Sequence, residues 1–425
     1  MLSVTGKIYS ILGNNNSLVP LAIKDVANSL GLTAGSYITG DKLEGKDRFI
    51  DEFGTQAIWL FGIPAYKKLI DLTLYKALKI DPKVDVRNLK NPEILKKAIE
   101  FAPTEKIAEN IQNAAKNPKF TKNLAIGKFA AATLLTIFSY GALTKYRHKQ
   151  TQKAAEKEIL QEMQNDKMKF SYTKPEDKNA FEGLHKNNNK PSFTGLQDFM
   201  FNPVKNLMIL DGSITAERLS NSRNKQEFIG YTIKEGIFWA FMYFASRPIQ
   251  NFLEKQAEKK HNKSIDLDAR VIESEELKKA FQTKEIEKSV KQIKDLKTDV
   301  QVYEFINKNP DNFVVKMAKM SDIIPTYKKT DKINTAKYID LDEVRGVANK
   351  LEKLHNQFAS GSETLDTFLS GVKKLKRSSV LKNIGASIGV LGILAPAIMV
   401  TLRKLSNNQE FQVKEDLKKK MSLTV

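Results

Sequence analysis

The chain has 425 residues, with 69 Lys and Arg against 49 Asp and Glu, a formal charge of +20 and no cysteine. Its length accommodates two or more domains, each with its own core. The charge favours a polyanionic partner, nucleic acid or an anionic membrane face, and the missing thiols exclude disulfides, thiolate metal sites and cysteine nucleophiles.

In chain order, residues 1–12 hold one basic side chain and a broken apolar run, so no cleaved signal peptide is expected. Residues 40–47, GDKLEGKD, satisfy the G-x-x-x-x-G-K part of a phosphate loop. Asp47 stands where a hydroxyl should hold magnesium, Asp41 and Glu44 would repel phosphate, and no buried strand precedes them, so the stretch reads as a solvated turn. The aromatic apolar run 57–66 ends at Lys67 and Lys68 and is too short to span a bilayer, which suits an interfacial, re-entrant or core segment with an amphipathic lead-in from Phe49. Residues 124–144 are long enough, with one charge, Lys128, a turn from the start where it can snorkel outward. A polar linker follows over 148–203, with a helix in 151–165 and a flexible loop at 186–192, KNNNKPS.

The second half repeats the short apolar run at 236–246, ending at Arg247 and Pro248. Lys234 and Glu235 argue against deep burial of its lead-in. Residues 282–371 carry charged helical stretches broken at Pro310, Pro325 and 360–362, a soluble helical insertion. Asp340 to Glu343 reads as a helix N-terminus opposed to the dipole. Residues 384–402 hold no charge, reach roughly 28 Å as a helix and are the best transmembrane candidate. Lys and Arg flank them on both sides, Arg403 and Lys404 among them. A buried core helix of a soluble protein is the alternative for both long runs. The charged tail 406–425 ends near Lys418 to Lys420, an electrostatic anchor or a solvated end.

Landmarks of the first part recur later in the same order: Thr33, Phe49, Trp59, Pro64, Arg87 and Glu93 against Thr215, Phe228, Trp239, Pro248, Arg270 and Glu275. In the densest stretch, DVRNLK and PEILKKAI against DARVIE and SEELKKAF, seven of fourteen positions are identical. The expected architecture is all-α: a membrane-associated protein of two tandem repeats, 1–147 and 204–405, the second carrying the insertion, the two related by a pseudo-two-fold axis. Chance matching of Lys-rich helices is the alternative.

Small residues four apart, Gly127 with Ala131 and Gly385 with Gly389, suit close helix packing. Trp59, Trp239, Arg247, Arg403 and Lys404 suit interfacial anchors. Lys128, Lys234 and Glu235 are candidate intramembrane charges. His148, His185, His261 and His355 are scattered, no calcium loop or nucleophile elbow occurs, and neither catalytic, metal nor cofactor residues are expected. Basic residues gather beside the apolar helices rather than among stacking aromatics, which favours anionic lipid over nucleic acid.

The runs DGSITAERL, from Asp211, and IKEGIFWAFMYFA, 233–245, resemble uncharacterised helical membrane-associated proteins of non-photosynthetic gut relatives of cyanobacteria. The resemblance implies a bacterial origin and a membrane location, here the cytoplasmic membrane, and carries no activity or cofactor. The leading expectation is a non-enzymatic membrane protein that organises the membrane or presents its insertion, 282–371, to a protein partner. A small oligomeric transporter or channel is the alternative, and a membrane-bound nucleic-acid protein the residual.

Overall fold

The computed structural model describes residues 3–15, 17–40, 42–165, 200–222, 225–328, 330–405 and 413–422; the expected loop 186–192 and His185 lie outside them. The chain is all-α, 82% helical, with no strand among the described residues. Its contacts divide into two compact units. The first comprises Met1–Pro20, Ala65–Ala131 and Ala245–Ala386; the second comprises Leu21–Pro64, Ala132–Phe244 and Ser387–Val425. The divisions fall inside several helices, so neither unit is a contiguous piece of sequence.

The first unit has a hydrophobic interior assembled from short helices. After α1 (Val4–Gly13) come α4 (Pro92–Glu100), α5 (Glu105–Lys116), α9 (Ser246–His261), α10 (Ala269–Ile272), α11 (Glu275–Phe281), α12 (Glu285–Lys294), α13 (Asp299–Lys308), α14 (Phe313–Met320) and α15 (Leu341–Ala359). On α15, Val344, Val347, Ala348, Leu351 and Leu354 are buried at three- and four-residue steps, the stripe of an amphipathic helix. That stripe packs on α12 and α14. Asp340 caps α15 through the backbone amides of Asp342 and Glu343, as its sequence suggests. The core also takes in Val84, Ala98, Ile111 and Ala114, and Ala257, Ile265, Val271 and Leu277. The insertion 282–371 is therefore not self-contained. Helices this short cannot bury a full apolar face alone, so flanking segments complete the core.

The two densest matching stretches adopt the same local structure. Asp85 accepts from the amide of Arg87 at 3.0 Å while the guanidinium folds back onto its carboxylate at 2.7 Å. Asp268 does the same with Arg270, at 2.8 Å from the amide and 3.1 Å from Nε. Each turn then enters a capped helix, α4 through Asn91 and α11 through Ser274. Upstream, Thr33, Phe49 and Trp59 fall on the successive helices α2 (Leu18–Thr39) and α3 (Lys42–Ile70), and Thr215, Phe228 and Trp239 on α7 (Pro203–Ser220) and α8 (Lys225–Trp239); Pro64 is inside α3, whereas Pro248 lies beyond α8, in α9. Both α3 and α8 run directly into π-helical turns, Asp71–Tyr75 and Ala240–Phe244.

The short apolar runs 57–66 and 236–246 are not separate segments. The first lies wholly within the 29-residue α3, and the second spans α8, its π-helical turn and the start of α9. The remaining elements are α6 (Pro118–Asn165), α16 (Leu365–Gly389), a π-helical turn (Val390–Leu394), α17 (Ala395–Leu405) and α18 (Val413–Ser422). α18 tucks Leu417 against Ala155 and Ile159 of α6, and Lys418 donates to Glu162 at 2.7 Å.

The second unit is inverted relative to the first. Ile38, Phe61, Phe138 and Ile393 are 73%, 68%, 61% and 72% exposed. On α6 the buried face from Thr133 to Thr151 carries polar side chains: Thr133, Thr136, Tyr140, Thr144, Arg147 and Thr151. The small-residue rows Gly127–Ala131 and Gly385–Gly389 do not pack helices together, since a Cβ at any of these three glycines would meet nothing within 4 Å and Ala131 is exposed. Their side of each helix points away from the packed face.

Close approach occurs instead at Gly31, where an added Cβ would lie 2.3 Å from the carbonyl oxygen of Gly392 and 2.6 Å from Pro396. Pro396 has no amide to donate to that carbonyl four residues back, and its oxygen lies against the bare backbone of α2. Gly31→Ala should lower the thermal midpoint measured in detergent by several degrees, with Gly127→Ala and Gly385→Ala within error of the wild type. Equal effects at all three positions would contradict this packing.

Tyr303 lies in the core of the first unit with its hydroxyl unpartnered. Burial pushes its phenol well above the ordinary value of 10.0. The folded state therefore keeps a proton that the unfolded chain releases, so stability falls as pH rises through and beyond the unfolded value. Tyr303→Phe should flatten the alkaline arm of a urea-stability profile measured above about pH 10.

Candidate functional site

Charged residues on α3 recur at three- and four-residue steps: Glu44, Asp47, Arg48, Asp51, Glu52, and then Gln56 and Trp59, all buried. This spacing places them on one helix face. In the second unit that face meets Arg147 of α6, Asp211 and Arg218 of α7, and Lys234 and Glu235 of α8, each also buried. Burying an ion costs several kcal/mol even after relaxation, so the structure must pair each one.

Asp51, 1% exposed, is the hub. Arg147 reaches it at 2.9 Å and Arg218 at 3.4 Å. Arg48 sits 3.7 Å from Asp51 and 3.6 Å from Glu52. Arg218 extends to Glu235 at 2.6 Å and to the Tyr140 hydroxyl at 2.9 Å, joining α3, α6, α7 and α8 through one guanidinium. Lys234 bridges Glu52 at 3.1 Å and Glu235 at 3.2 Å. Thr151 donates to Asp47 at 2.6 Å, and Thr215 to Glu235 at 3.1 Å. A second pair joins Arg403 of α17 to Glu44, with Ser36 accepting at 3.0 Å.

Beside the hub is a cavity of about 20 Å³, lined by Asp25, Glu52, Trp59, Asp211, Arg218, Lys234 and Glu235 among others. By volume it holds about one water molecule. Tyr243, on the π-helical turn after α8, donates its hydroxyl to Asp211. Among the described residues no three His, Cys, Asp or Glu side chains converge to hold a metal ion.

Several sequence expectations are corrected here. Lys234 and Glu235 are not markers of a shallow lead-in; they are 3% and 4% exposed because partners on α3 and α7 neutralise them. Trp59 and Arg403 are not interfacial anchors, since Trp59 lines the cavity and Arg403 turns inward to Glu44. Trp239 is partly buried and donates to Thr215 at 3.2 Å. Arg247 and Lys404 are exposed. Lys128, in the first unit, pairs with Asp71 and lies 4.8 Å over the Tyr75 ring instead of extending outward. The stretch 40–47 is not a solvated turn: α3 begins at Lys42, and Glu44 and Asp47 are buried in its first turns. His355 stacks near Phe281, ring centres 5.7 Å apart.

Sequence reasoning missed Asp51, Arg147, Asp211 and Arg218. Their signal was present as a charged stripe on α3, backed by Phe49 and Phe61 on the opposite, exposed face. Read alone, a charged stripe denotes water. Only the complementary stripes on α7 and α8 show that it faces inward. Comparison with family profiles, curated proteins and solved structures gives no match.

Removing Arg218 takes a shared cation from Asp51 and Glu235 at once and leaves each with a single close partner, Arg147 and Lys234. Arg218→Met should cost about 3–5 kcal/mol in detergent unfolding, and Arg218→Lys should recover little, because an ammonium cannot span three partners as the planar fork does. Full recovery by lysine would show that only the charge matters.

Proposed function

We propose that this is a non-enzymatic integral membrane protein whose inverted second unit lies in the bilayer and whose first unit is a soluble helical module held at the membrane for a protein partner. The observation that carries the reading is the inversion: charges inside and large apolar side chains outside suit a lipid solvent, where exposed ions are expensive and exposed leucine is not. Helices Pro118–Glu162 and Leu365–Leu405 contain windows long and apolar enough to cross a membrane. Only 28% and 33% of those windows are buried, whereas a soluble core helix is buried along most of its length. The location proposed is a bacterial cytoplasmic membrane, with anionic lipid around the basic flanks of the apolar helices.

The shared fold-back turns at Asp85 and Asp268, and the matching hairpins before them, support an ancestral duplication. On that reading α3 and α8 are corresponding crossings, and α6 and α16–α17 another pair, four in all. The buried ion network favours a second reading, a small transporter acting as an oligomer, since intramembrane charges commonly mark ion pathways.

Fractionation tests the first reading. Alkaline carbonate should leave the protein in the membrane pellet and detergent should release it; release by carbonate would sink the integral assignment. Ion flux in proteoliposomes that disappears in Lys234→Met would promote the transporter, and absence of flux in the wild type would retire it.

A further inference from the structure

The cavity in the second unit contains more acid than base. Asp25, Glu52, Asp211 and Glu235 line it against Arg218 and Lys234. Glu235 is taken by Arg218 at 2.6 Å, and Glu52 by Lys234 at 3.1 Å. With those pairs made, Asp25 from α2 and Asp211 from α7 face one small space, and among the described residues neither has an ion pair of its own. Each lies within electrostatic reach of its neighbours: Asp25 of Asp211, Glu52, Arg218 and Lys234, and Asp211 of Glu235 and Arg218. The other groups facing them are Asn28 of α2, Trp59 and Thr55 of α3, and Tyr243, which donates to Asp211. On α6, Tyr140 is engaged by Arg218 and Arg147 by Asp51; on α17, Arg403 is engaged by Glu44.

Two negative carboxylates in one desolvated space require a compensating positive charge. Among the described residues no three-ligand cage converges there for a divalent metal, and the space is that of about one water molecule. We propose that the cavity is a proton-binding site in which Asp25 and Asp211 share one exchangeable proton. A proton arriving from water bonds to an oxygen of one carboxylate and relieves its repulsion with the other across the cavity both line; release returns it to water with no other bond changed. Lys234 and Glu235, the charges the transporter reading rests on, set the field of this site but do not carry the proton. The site supplies the charge-carrying step that reading needs. It rests on the lipid-embedded reading of the second unit only for the low dielectric around it.

The test uses the full chain in lipid nanodiscs and difference infrared spectra across about pH 5 to 9. A protonated-carboxyl C=O band should appear and titrate, and both Asp25→Asn and Asp211→Asn should abolish it, each amide standing in for the neutral acid. Glu304→Gln, in the first unit, should leave the band intact. Tyr243→Phe removes a donor to the carboxylate form and should move the band's midpoint upward by about one pH unit. This last variant keeps both carboxylates and so stands even if an Asn variant loses its helicity.

A missing band, a band unchanged in both Asn variants, or a midpoint unmoved by Tyr243→Phe overturns the proposal. Exchange of potassium for sodium at fixed pH should leave the band alone; its loss in sodium would make the occupant a metal cation and overturn the proton assignment. Carbonate extraction of the same protein reports on the membrane reading separately, because a released protein that still shows the band retains the site.

Discussion

A buried charge must be paired, and in the second unit that requirement decides which helices meet and in what register. Asp51 holds Arg147 and Arg218, and Arg218 in turn holds Glu235 and Tyr140, so four helices converge on two side chains. Sliding any one of them by a single residue would rotate its charges off the shared face and strand several ions at once. Hydrophobic packing tolerates such a slip far better, because apolar contacts have no direction. The network therefore contributes specificity of arrangement, and its removal from one side costs far more than its presence adds.

The two units solve the burial problem with opposite materials. Around α12, α14 and α15, aliphatic side chains withdraw from water, and short capped helices from separate parts of the chain are gathered into one core. In the second unit large apolar side chains face outward, and helices are held by ion pairs and by backbone approach where Gly31 admits the Gly392 carbonyl. Helix association in lipid depends on such close packing and polar contacts, since lipid tails provide no hydrophobic drive. On the membrane reading proposed above, one chain meets two solvents, and its strong positive charge and its apolar runs belong to different environments.

The cavity beside Asp211 follows from the same constraint. Pairing consumes the available bases, and the leftover carboxylates must meet another cation or share a proton. The matching fold-back turns at Asp85 and Asp268 add that similar local sequence gives similar local structure. Upstream the buried charges differ, Glu44, Asp47, Arg48, Asp51 and Glu52 on α3 against Glu227, Lys234 and Glu235 on α8. Arg218 and Lys234 bring cations to Asp51 and Glu52.

Local features were legible from sequence because they depend on neighbours a few residues away. The all-helical class, the two long apolar helices, the Asp340 cap and the parallel between the two LKKA stretches all rest on propensity, capping and short periodicity. The direction in which each face points was not. Residues 40–47 read as a solvated turn, Lys234 and Glu235 as marks of a shallow lead-in, Trp59 and Arg403 as anchors, Gly127 and Gly385 as packing positions, and 282–371 as a module of its own. Tertiary structure decided each of these, because whether a charge faces water or a partner depends on residues remote in the chain: Asp51 and Arg218 are 167 positions apart.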